Sequence, residues 1–154
     1  MKTKTTLIAL ALIALAACKT VSYPNEVSKI APGSGETMET GTLWLNATGY
    51  GTDAGNARKD AEKAAFRKIL FQGIPGSQWN MPMVPDESVS KRDHASFYTS
   101  FLDGGGYSEM ILSSSPGPLN KVEGNNKLET RLKVDMNALR RHLEKNDIIR
   151  KFGL

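Results

Sequence analysis

Hydrophobic positions alternate most clearly in two stretches of this chain. In Thr42 to Thr48, Leu43, Leu45 and Ala47 point one way, and Trp44 falls among polar residues on the other side. In Lys127 to Val134, Leu128, Thr130, Leu132 and Val134 oppose Glu129, Arg131 and Lys133. A period of two is that of a half-buried strand. Between Ala54 and Phe71 the period changes. Ala57, Ala61, Ala64, Ala65, Ile69 and Leu70 form a helical stripe, with Arg58, Lys59, Glu62, Lys63, Arg67 and Lys68 on the wet side. Its small side chains suit close approach to a sheet. Gly49 to Thr52 reads as the turn into this helix, Asp53 as its N-cap, and Gly73 and Pro75 as its stop.

The remaining elements have weaker patterns. Glu87 to Leu102 predicts a second helix, ended by Asp103 and three glycines. Tyr107 to Ser113 predicts a strand, and Ser114 to Asn126 a polar, hairpin-like connection. Asp135 caps a last helix from Met136 to Lys145, whose Met136, Leu139 and Leu143 share a face, and Ile148-Ile149 reads as a short edge strand. Few strands with long polar connections predict an α+β domain over residues 41–154, its helices packed on one face of a mainly antiparallel sheet. Lys19 to Thr40, rich in Ser, Thr, Gly and Pro, reads with Cys18 as a flexible tether over 18–40.

The one unbroken apolar run comes first. Lys2 and Lys4 precede Leu7 to Ala17, and the run closes on Leu15-Ala16-Ala17-Cys18. Positive start, short apolar stretch and small residues before a cut have the anatomy of a secretory signal over residues 1–17. The run is about half the roughly 20 residues that a spanning helix needs. Leu-Ala-Ala-Cys resembles the lipobox of bacterial lipoproteins, which implies cleavage between Ala17 and Cys18 and a diacylglyceryl group on the Cys18 sulfur. Cys18 is the only cysteine, so no internal disulfide competes for it. Lys19-Thr20 after the cysteine, with no Asp, resembles lipoproteins sent to the outer membrane, facing the periplasm.

Charge and composition narrow the functional classes. The formal charge of +4 includes Lys2 and Lys4, so the exported part is only mildly basic and gives no reason to expect a nucleic-acid partner. Gly49-Tyr50-Gly51-Thr52-Asp53-Ala54-Gly55 follows a strand and opens a helix, but its spacing is not that of a dinucleotide-binding turn, and Asp53 would repel phosphate. His94 and His142 have no ligand partner at metal spacing. Asp86-Glu87 reads as a helix-start pair, and the serines at 96 and 113–115 lack a nucleophile elbow. Arg140, Arg141, His142, Lys145, Arg150 and Lys151 make a basic C-terminal quarter, read as a solvated helix end rather than a lipid-facing patch. No cofactor, metal or catalytic residue is expected. Trp44, Tyr98 and Tyr107 are the candidates for an exposed interaction surface, whereas Phe97 and Phe101 are assigned to the core.

A strand ending Ala47-Thr48-Gly49-Tyr50-Gly51, followed by the helix carrying Ala54, Ala57, Ala61, Ala64 and Ala65, resembles the FlgT amino-terminal domain and its small lipoprotein relatives. Val134 through Ile149 is similar to the closing segment of that domain. The resemblance implies an α+β envelope domain that serves assembly or binding, with no catalytic residues to carry over. The sequence thus leads to a non-catalytic lipoprotein, held to the membrane through Cys18, that docks on an envelope protein. The alternative is a binding module for a small ligand or cell-wall fragment, using a pocket around Trp44, Phe97 or Tyr107.

Overall fold

The computed structural model describes residues 23–151. The signal, the cleavage site and Cys18 lie outside the described residues. A four-stranded antiparallel sheet forms from β1 (Val27–Lys29), β2 (Thr42–Gly51), β3 (Ile111–Val122) and β4 (Asn125–Asp135) in the order β1-β2-β4-β3. The helices are α1 (Ala54–Phe71), α2 (Glu87–Asp93), α3 (Ala95–Tyr98) and α4 (Met136–Lys145). The mixed α+β architecture, with helices against an antiparallel sheet, is as the sequence predicts.

The inner sheet face is built by the two alternating stretches. Leu43 pairs with Val134, Leu45 with Leu132 and Ala47 with Thr130, so a period of two in each strand becomes one apolar surface. Against it lies α1, with Ala57, Ala61, Ala65 and Phe66 fully buried. β2 does not turn at Gly49 but runs on to Gly51, and both glycines are packing positions. A Cβ on Gly49 would overlap the Ala57 carbonyl and the Ala61 amide, and one on Gly51 would lie 2.5 Å from the Ala57 nitrogen. Alanines on the helix and glycines on the strand bring the two backbones together.

Phe66, Phe101 and Tyr107 join α1 to the helical middle of the chain, with ring centroids 5.1 Å apart for Phe66 and Tyr107 and 5.9 Å for Phe66 and Phe101. α4 closes the core with Met136, Leu139 and Leu143. Its N-cap is Asp135, which accepts from the Ala138 N–H at 2.8 Å.

Five expectations are corrected. Glu87 to Leu102 is not one helix. It breaks at His94, whose backbone leaves the helical region, and Thr99–Asp103 winds as a π-helix that buries both Phe101 and Leu102. Tyr107 lies in a 3-10 turn, Gly106–Met110, rather than in a strand. The polar connection is itself strand: β3 and β4 form a hairpin across Glu123 (φ 47°) and Gly124 (φ 88°), a two-residue loop with both φ angles positive. Ile148-Ile149 is not a strand; both residues pack partly buried against the core after Asp147 reverses the chain at φ 56°. Finally, the domain begins before Gly41. Val27–Lys29 pairs with Ala47, Asn46 and Leu45, and Val27 is buried, so this part of the expected tether is a strand of the sheet.

Candidate functional site

The outer face of the sheet, away from α1, carries what the inner face excludes. The β2 side chains Trp44, Asn46, Thr48 and Tyr50 stand opposite Lys133, Arg131, Glu129 and Lys127 of β4. Register thus sets one indole beside two cations. The Arg131 guanidinium lies 4.7 Å from the Trp44 ring and the Lys133 ammonium 5.6 Å, both within cation–π range.

Residues 30–40 cross this face as a strap. It is tied at its two ends, where Ile30 N–H donates to the Trp44 carbonyl at 3.1 Å and Thr42 N–H donates to the Glu39 carbonyl at 3.1 Å. Between the ties, Arg131 donates to Glu36 at 2.8 Å and to the Ala31 carbonyl at 3.1 Å, and Lys133 pairs with Glu39 at 2.9 Å. No side chain from 31 to 40 is buried, and Met38 is 67 % exposed. Solvated ion pairs of this kind contribute about 1 kcal/mol or less each, so the middle of the strap is weakly held.

Trp44 is therefore not exposed. It is 4 % accessible, and its Nε1 has no hydrogen-bond partner. Tyr98 and Tyr107, the other two expected surface residues, are also 4 % accessible and belong to the core. Tyr98 hydroxyl meets Ser90 Oγ at 2.6 Å, and Tyr107 hydroxyl donates to the Lys59 carbonyl at 3.2 Å. Burial, with the negative charges of Glu62 and Asp60 nearby, pushes the Tyr107 phenol up to about 12. The three residues do not meet. Alternation gave Trp44 its face correctly, but it carried no information about what crosses that face.

A hollow of about 430 Å³ opens beside the strap, lined by Met38, Glu39, Trp44, Gln78 and Trp79. Lys29 closes one side, donating to the Gly76 carbonyl at 2.8 Å. Arg131, Lys133, Glu36 and Glu39 went unnoticed as site residues in the sequence. The available signal was the polar face of β4, since antiparallel pairing places two cations two residues apart beside a lone tryptophan.

Other motifs resolve into structure. The α1 N-terminus is filled by its own cap: Asp53 accepts from Asn56 N–H at 2.9 Å, and that bond holds its carboxyl below the ordinary 3.8. Asp86 caps α2 by accepting from Val89 N–H at 2.9 Å, and Glu87 pairs with Lys91. Ser114 donates to Glu62 at 2.8 Å, and Arg58 holds the same carboxylate at 2.9 Å, which locks α1 to β3. His142 rests against the Phe97 and Phe101 rings, at 5.8 and 5.5 Å. Among the described residues no three metal-ligating side chains gather, and no helix is long and apolar enough to cross a membrane.

No family model, no curated protein and no solved structure matches this chain.

Proposed function

We propose that this chain is an exported lipoprotein, fixed to the membrane by acyl chains on Cys18, whose α+β domain docks on another protein of the envelope without catalysis. The observation that carries the reading is the position of the sole cysteine, directly after Leu15-Ala16-Ala17 and a short apolar run behind two lysines. One acyl chain holds a protein only marginally, whereas two or three give stable anchoring. Lys19-Thr20 favours the outer membrane, on its periplasmic side. The kinship to the FlgT amino-terminal domain belongs to the same proposal. Its support is the alanine helix that follows a glycine-bearing strand and packs directly on it.

One observation favours a second reading. The hollow beside Trp44 and Trp79 offers indole surface together with the polar groups of Gln78 and Glu39, a lining suited to a small ligand or a cell-wall fragment.

Crosslinking in the native envelope separates the two. Docking predicts a protein adduct that disappears when the folded domain is denatured first. Recovery of no protein adduct, together with saturable binding of a cell-wall fragment, would put the second reading in its place.

A further inference from the structure

The strap has the features of an internal competitor. Residues 31–40 contain two acids, Glu36 and Glu39, and no base. Those acids meet the two cations that flank the Trp44 ring, and no strap residue from 31 to 40 belongs to the hydrophobic core. Glu129, the next outward residue of β4, lies within 3.4 Å of Asn46 and bounds the positive patch on that side. The indole N–H is covered yet unsatisfied, so the strap complements the cations of this surface and leaves the indole donor unpaired.

We propose that Arg131, Lys133 and Trp44 form a docking site for an acidic segment of a partner protein, and that Glu36 and Glu39 occupy it in cis until the partner displaces them. This deepens the docking reading above and rests on it. The occupant is inferred from charge: two cations two residues apart on a strand accept a pair of carboxylates, as they do from the strap, which turns at residues 33–36 to bring Glu36 to Arg131. A tethered competitor acts at high effective concentration, so an acidic segment in trans binds the native chain poorly and a chain with a neutral strap well.

The test uses the full chain in detergent and a fluorescein-labelled peptide of residues 31–40 as the probe. Glu36→Gln with Glu39→Gln should tighten peptide binding by about tenfold or more over the unsubstituted chain. Adding Arg131→Gln and Lys133→Gln should remove that binding, as should neutralising both acids in the peptide. In the unsubstituted chain, saturating peptide without isotope label should shift the backbone amide resonances of residues 33–39 as the strap leaves the sheet, a measurement that does not depend on any variant folding. Equal binding by all variants with no shift of those amides overturns the proposal. So does polyphosphate binding to the neutral-strap chain where the acidic peptide does not, since the site would then recognise phosphate polymers. A peptide that fails while crosslinks to an envelope protein still form refutes this site and leaves docking intact.

Discussion

Gly49 has a demanding neighbourhood. It sits where β2 crosses α1, and the space that a methyl group would need is filled by helix backbone. Backbone gives way less readily than a side chain, so Gly49→Ala should cost about 3 kcal/mol in denaturant unfolding. Gly55→Ala, which would meet only Asp53 Oδ1 at 3.2 Å, should change stability by less than about 1 kcal/mol. Equal effects would remove the close-packing account. Tyr107 supplies a pH test. Its phenol is raised in the folded chain, so its contribution is fully present below the ordinary value of 10.0 and is lost as pH rises through about 12. The urea midpoint should fall across that window in the unsubstituted chain and fall less in Tyr107→Phe. At this scale the sequence was legible where a residue's role follows from its immediate neighbours, as with the caps Asp53 and Asp135. It misled where the role depends on remote chain: Tyr98 and Tyr107 are enclosed by elements that converge only in the folded state.

Elements with a strong period appear where that period places them. β2, α1, β4 and α4 each carry a clear apolar face, and each face is buried. The elements missed lack such a face. β1 has three residues, too few to show alternation, and takes its stability from β2 and α1: Thr48 N–H of β2 donates to the Glu26 carbonyl at 2.7 Å, and Lys68 of α1 donates to the Val27 carbonyl at 2.7 Å. β3 contains Pro116, Gly117 and Pro118, which read as a loop; as an edge strand it tolerates them, with register breaks on both sides of the Ser113–Pro116 stretch. The status of β1 is testable. Val27→Ala removes two buried methyl groups and should cost about 2 kcal/mol. The Thr48 and Ile30 amides should exchange slowly in deuterium. A free tether in that place predicts no loss of stability and fast exchange at Ile30.

On the scale of the whole molecule, one core fastens the sheet, α1, the helical middle and α4 together, while the outer sheet face is left to charge and to the strap. This division gives the chain a stable body and one surface covered through charge. The proposed membrane anchor rests on Cys18. The most direct test is the intact mass of the mature chain extracted from the membranes of its own cell. The account predicts an N-terminus at Cys18 with a mass increase of two or three acyl chains, and no such species for Cys18→Ser. A mature chain that starts at any other residue, or one that starts at Cys18 with an unmodified thiol, would contradict it.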